Sequence, residues 1–229
     1  MTPRGLLPLR RRTRCAAIIF VLLAGTTSCA PGSDAPPPNR DPSLQAGYDV
    51  RSDSARSDPG YLRVVRADRG VRVITGPAGI AWRPSDVVEE GNFRAQATFV
   101  LLNAPVGYQE AYGLMVGGED LHGPAQTYLS FLVRPTGEFT VRRRTGPNTE
   151  TLVAWTANDA VQRMDARGKR PSNTLAIEVV DGQTRFLVNG TEVNRMPTDR
   201  ARPYGLAGLR VNHHLELSVE GWSLGAPPL

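Results

Sequence analysis

The alternation of apolar and polar positions is clearest over residues 173–193. Leu175, Ile177 and Val179 alternate with Thr174, Ala176 and Glu178, the period-2 pattern of a strand with one face buried. Asp181-Gly182 follows, and Asn189-Gly190 comes after Phe186 and Val188. Both pairs accept the positive φ angles of a type I′ hairpin turn, so a meander of three strands is predicted. The longest further strand is predicted over 92–102, with Phe93, Ala95, Ala97, Phe99 and Leu101 on one face and Arg94, Gln96 and Thr98 on the other. That is the pattern of a sheet with one side in the core and one at least partly wet.

The rest of the chain repeats this rhythm. Strands are predicted over 61–66, 71–75, 80–82 (stopped by Pro84), 110–117, 125–134, 138–144, 150–156, 204–211 and 214–224, with a bulge at Gly221. Residues 159–164 predict one helical turn. Short strands at regular spacing, divided by turn residues, predict an all-β fold: a two-sheet antiparallel β-sandwich of the jelly-roll kind over 60–229.

The N-terminal part is different. Residues 1–29 have the layout of a secretory signal. An Arg-rich start precedes an apolar run of 11 residues over 15–25, short of the roughly 20 that a spanning helix needs. The run ends in Thr26-Thr27-Ser28-Cys29, which resembles a bacterial lipobox and implies lipidation of Cys29 as the new N-terminus. Ser28-Cys29-Ala30 also fits ordinary signal peptidase, which would release a secreted or periplasmic protein. Residues 30–59 hold Pro36-Pro37-Pro38 and many Ser and Asp residues. Such a composition predicts a disordered tether, spanning roughly 30 Å on average as a flexible chain. The expected location is the cell envelope, with the membrane reached through the lipid anchor only.

This division changes the meaning of the charge. The formal net charge is +5, but Arg4, Arg10, Arg11, Arg12 and Arg14 all lie in the leader; without them 22 of the 27 basic residues face 22 acidic ones. The basic balance belongs to the leader, so no nucleic-acid partner is expected. Cys15 and Cys29 are the two cysteines, so the folded part has neither a disulfide nor a thiolate metal site.

Several motifs resemble the concanavalin A-like lectin/glucanase (laminin-G-like) superfamily. They are Tyr112-Gly113-Leu114-Met115-Val116-Gly117-Gly118, Tyr128-Leu129-Ser130-Phe131, Phe186-Leu187-Val188-Asn189-Gly190 and Gly205-Leu206-Ala207-Gly208-Leu209. Within the superfamily the chain is most similar to the 3-keto-disaccharide hydrolase-like domains, although their Asn-Ser-Gly segment and Gly-Tyr-Glu-x-Gln type strand are missing. The resemblance covers about residues 60–226. It implies a carbohydrate partner, glycan binding on a concave sheet, and calcium at loop carboxylates, for which Glu119-Asp120 is the candidate pair. Two acids fall short of a six-to-eight-oxygen cage. His213 and His214, as strand neighbours, would point to opposite faces, so no zinc site is expected.

The residues themselves offer one binding strip. Tyr128, Arg134, Arg142 and Arg144 would share the non-core face of adjacent strands, with an aromatic ring for stacking and planar donors for hydroxyls or carboxylates. Trp82, Trp155 and Trp222 are expected as core anchors. Glycosidase chemistry usually needs two carboxyls at defined separation. Glu216 and Glu220 share a face but stand about 13 Å apart along the strand, which predicts a solvated strand face. No catalytic residue is assigned. The expected function is an exported, lipid-anchored carbohydrate-binding module; the alternatives are a glycoside hydrolase acting on (3-keto) disaccharides or glycans, and a tethered protein-interaction domain.

Overall fold

A computed structural model describes residues 46–53, 62–104, 107–165 and 169–228. The leader with Cys29, and residues 30–45 and 54–59 of the expected tether, lie outside the described residues. The described strands are β1 Asp49–Ser52, β2 Leu62–Ala67, β3 Gly70–Thr75, β4 Gly79–Val88, β5 Phe93–Asn103, β6 Tyr112–Glu119 and β7 Thr127–Arg134. They continue with β8 Glu138–Thr145, β9 Asn148–Ala157, β10 Ser172–Val180, β11 Gln183–Val188, β12 Thr191–Pro197, β13 Gly205–Val211 and β14 Glu216–Gly225. A single described helix, α1 Thr198–Ala201, follows β12.

The strands form two seven-stranded sheets, in the orders β1-β4-β13-β6-β7-β8-β9 and β12-β11-β10-β5-β14-β3-β2. Every neighbouring pair is antiparallel. The expected all-β sandwich is therefore present. Its core lies between the sheets, where Phe99, Leu175, Ile177 and Phe186 from one sheet meet Leu114, Phe131, Phe139 and Val141 from the other, all at most 1% exposed. Phe131 and Phe186 bridge the layers with ring centroids 5.3 Å apart. Burying one such side chain contributes roughly 1.5–3 kcal/mol.

The meander is β10, β11 and β12. Asp181 and Asn189 have φ of 49° and 51°, and Gly182 and Gly190 have 72° and 83°, the doubly positive pair that a type I′ turn requires. Asn189 has a second role. Its Nδ2 donates to Ala160 O at 2.8 Å and to Asn173 Oδ1 at 3.0 Å, and its Oδ1 accepts from Thr174 N at 2.8 Å. Asn173, fully buried, also accepts from Gln162 N and donates to Gln162 O and the Tyr112 hydroxyl. A hairpin turn is thereby joined to the 158–164 loop through a satisfied buried amide.

Three expectations need correction. Residues 159–164 form no helix. Asn158 Oδ1 accepts from Ala160 N at 2.9 Å, and Val161 N donates to Asn158 O; this side-chain-capped turn drops Val161 into the core. Second, β4 runs past Pro84 to Val88. Its partner β13 shifts register between Leu206 and Gly208, opposite this stretch, so the missing N–H costs no ladder bond. Third, β1 falls inside the segment expected as tether and pairs with β4 from Asp49↔Trp82 to Ser52↔Gly79. Tyr48, 7% exposed, anchors it in the core, and the Arg83 guanidinium lies over its ring.

Candidate functional site

The outer face of the β1–β9 sheet divides into two regions. At the β1–β4 end, Ile80, Trp82, Met115, Leu121 and Tyr128 form a separate apolar cluster outside the main core. Ile80 and Trp82 alternate with Ala81, which points to the core, so the large residues of β4 face out and the small one faces in. The loop after β6 covers this cluster. His122 packs on Trp82 with ring centroids 4.8 Å apart and bonds Asp49 at 3.1 Å. Arg51 Nη1 donates to Leu121 O at 2.8 Å.

Beside the cluster lies an open polar cleft of about 170 Å³, lined by Asp53, Tyr128, Ser130, Leu132, Arg142, Arg144, Thr149, Arg210 and Asn212. Its floor follows from strand register. Tyr128 stands opposite Arg144, and Ser130 opposite Arg142, across β7 and β8; Thr149 faces Arg144 from β9. Arg210 comes from β13, where it alternates with the core residues Leu209 and Val211. Asp53 arrives from the end of β1, held by its own N–H to Ala78 O at 2.8 Å.

Asp53 and Arg210 form a two-pronged pair at 2.7 and 2.6 Å. Burial alone would raise the Asp53 pKa, but the hydrogen bonds and charge of Arg210 outweigh it and hold the carboxyl below its usual value. Arg210 shifts the other way: burial would lower it, and Asp53 raises it overall. Arg210 Nη1 also reaches the Tyr128 hydroxyl at 3.4 Å. Burial pushes the Tyr128 phenol up, with Arg210 opposing.

Arg144 is held by neutral acceptors: Nε donates to Gly146 O at 2.6 Å and Nη1 to Thr149 Oγ1 at 3.3 Å. Arg142 is less satisfied. Its Nε is buried with no hydrogen-bond acceptor, and its guanidinium stands 5.4 Å from the Trp155 ring centroid. Burial, then the like charges of Arg210 and Arg134, lower its pKa.

Three of the four expected strip residues, Tyr128, Arg142 and Arg144, thus line one cleft. Arg134 shares the face but lies further along β7, paired with Glu138 and stacked 4.4 Å from the Trp155 centroid. The stacking role expected for Tyr128 is not what the structure offers: only 5% exposed, its ring belongs to the apolar cluster and its hydroxyl edge meets the cleft. Trp155 and Trp222 are partly exposed rather than buried anchors, and Trp82 anchors the outer cluster. Asp53, Arg210, Asn212 and Thr149 were not expected. A single arginine in the otherwise apolar Gly205–Val211 strand was the readable signal for one of them.

The other candidates resolve into structural roles. Asp120 Oδ2 accepts from Ala125 N at 3.1 Å, closing its own loop. Among the described residues no group of three or more His, Cys, Asp and Glu gathers as a metal site. His213 Nδ1 accepts from Ala78 N at 3.2 Å. Glu216 pairs with Arg72 and Glu220 with Arg69.

No family model and no curated protein matches the sequence. Solved structures do resemble the fold. A carbohydrate-binding module, CBM66, from Bacillus subtilis superposes with a TM-score of 0.56 at 9% identity, over 80% of this chain and 97% of that one. A protein of unknown function with a galectin-like fold, also from Bacillus subtilis, gives 0.55 at 12% identity over 79% and 89%. The exoplasmic/lumenal domain of VIP36, in a form bound to Ca2+ and Man3GlcNAc, gives 0.51 at 11% identity over 81% and 88%. At these identities the likeness is one of fold, a two-sheet antiparallel β-sandwich.

Proposed function

We propose that this β-sandwich binds carbohydrate in the cleft on the outer face of the β1–β9 sheet, and that an N-terminal lipid on Cys29 holds it in the cell envelope. The observation that carries the reading is the cleft itself. It gathers guanidinium, hydroxyl and amide groups from four or more strands on one open sheet face. Sugars present many hydroxyls in fixed directions, and planar guanidinium forks with short side-chain hydroxyls supply matching donors and acceptors. At about 170 Å³ the cleft is smaller than the roughly 300–1,000 Å³ of sites that enclose a drug-sized ligand. It suits one sugar ring or one substituent, with the remaining glycan on the open face. Two proteins of similar fold, CBM66 and VIP36, are described by their names or bound ligand as carbohydrate binders, which agrees with this reading.

Binding without hydrolysis is favoured by the carboxyl inventory. The lining contains one carboxylate, Asp53, and it is engaged by Arg210. The usual glycosidase mechanism needs two carboxyls, one of them protonated. A hydrolase acting on 3-keto-disaccharides or other glycans would therefore need a second acid from outside the described lining.

Glycan-array screening of the full chain, with the fold checked by circular dichroism, tests the binding reading. Binding to at least one glycan, weakened by Arg144→Gln, is expected. A folded chain that binds nothing on a broad array overturns it. The anchor has a separate test: mass spectrometry of the mature N-terminus is expected to find a diacylglyceryl group on Cys29, and cleavage after Ala30 would refute it.

A further inference from the structure

The cleft's charge is not balanced. Three guanidiniums, Arg142, Arg144 and Arg210, face one carboxylate, Asp53. Asp53 places both oxygens on Arg210 and acts on Arg144 only through longer-range charge. Among the described residues Arg142 and Arg144 have no carboxylate partner; Arg144 is held by a backbone carbonyl and a hydroxyl, and Arg142 keeps a buried Nε–H without an acceptor.

The opposite sheet provides an internal comparison. There four face-borne arginines are paired: Arg94 and Arg185 on Glu178, Arg185 and Arg195 on Glu192, and Arg72 on Glu216. The partly buried arginines of that face, Arg94 and Arg185, both have glutamates, while Arg63 on the edge strand β2 is exposed and has none among the described residues. A partly buried guanidinium pair with no bonded carboxylate is less favourable alone than with an external anion. The Asp53–Arg210 geometry beside it shows that this wall already accommodates a carboxylate on a guanidinium fork.

Resting on the carbohydrate reading, we infer that the cleft takes an acidic sugar, whose carboxylate is received by Arg142 and Arg144 while its ring hydroxyls meet Ser130 and Asn212. A carboxylate is planar and accepts two parallel N–H bonds, matching the guanidinium fork. The lowered pKa of Arg142, caused by burial and then by Arg210 and Arg134, agrees with a cation awaiting a counter-charge. The site distinguishes acidic from neutral glycans through charge as well as shape, and its affinity falls with added salt.

The test uses the full chain and matched ligand pairs: oligogalacturonate, oligomannuronate and a sialylated oligosaccharide, each beside its carboxyl-reduced form, with a sulfated neutral glycan as a further arm. Isothermal titration is run on the wild type, Arg142→Gln and Arg144→Gln, each checked for folding. At least one acidic member is expected to bind about 10- to 100-fold more tightly than its reduced form, the scale of hydrogen bonds to a charged group. Either substitution should remove most of that preference. Should Arg142→Gln fail to fold, Arg144→Gln and the salt dependence carry the test. Equal or tighter binding of the reduced forms, or preference for the sulfated glycan, overturns the acidic-sugar inference and leaves carbohydrate binding standing. Neutral glycans bound on the array with no acidic member bound overturns it likewise. No binding to any glycan by the folded chain overturns both.

Discussion

Replacing Arg142 with methionine should make the protein more stable and a poorer binder. The substitution keeps an unbranched apolar stem and removes the guanidinium. A buried donor without an acceptor costs roughly 1–3 kcal/mol, and Arg142 Nε is such a donor. Repulsion from Arg210 and Arg134 adds to that cost. The loss is the contact with Trp155 at 5.4 Å, about 0.5–1 kcal/mol for a cation over a ring near the surface. The net gain is therefore about 0–2.5 kcal/mol before the repulsion is added. For a domain of this size that raises Tm by up to about 10 °C. Differential scanning calorimetry and urea melts, read by midpoint at constant m-value, would measure it. A fall in Tm would show that Arg142 is held by the protein for stability and would remove the reason to see its guanidinium as poised for a ligand. Stability gained where binding is lost is the usual mark of a functional residue.

Other outcomes follow from the same geometry. Asp53→Ala leaves Arg210, 13% exposed, without its counter-charge and should cost about 2–3 kcal/mol, near the lower end for a buried pair broken from one side. The Asp53 pKa is depressed in the folded protein, so its contribution is fully present above its ordinary value of 3.8 and is lost as pH falls through the folded value; acid melts of wild type and Asp53→Ala should converge below that point. Glu138 is held at about 2 by hydrogen bonds from Arg134 and then Thr136. A carboxyl NMR titration should find it there, and Arg134→Ala should return it toward about 4.3. Asn173→Ala strips partners from Gln162, Asn189 and Tyr112; a loss of about 2–4 kcal/mol in urea melts is expected from the unsatisfied groups it leaves, and a loss under 1 kcal/mol would contradict the buried-network account.

The parts of the fold written locally were legible. Asp181-Gly182 and Asn189-Gly190 specify their turns by residue type alone, and β5 announces its buried face by alternation. The Tyr128, Arg142 and Arg144 strip was legible for the same reason, because two strands joined by the short Pro135-Thr136-Gly137 turn must be neighbours. What escaped was whatever depends on distant pairing. Arg210 reaches the cleft only because β13 inserts between β4 and β6, an order that no local pattern encodes. Asp53 follows a four-residue strand beside Ser- and Pro-rich sequence, where composition argues for a tether; Tyr48 and Val50 were the overlooked apolar signal. The unpaired state of Arg142 likewise depends on which acids the other strands bring to its side.

The most direct test of the cleft as the glycan site is a side-chain NMR titration of the arginine Nε–H resonances with a glycan identified by array screening. Shifts concentrated at Arg142, Arg144 and Arg210, with Arg94, Arg185 and Arg195 of the opposite sheet unmoved, are the predicted result. Shifts confined to the opposite sheet, or none at saturating glycan, would contradict it.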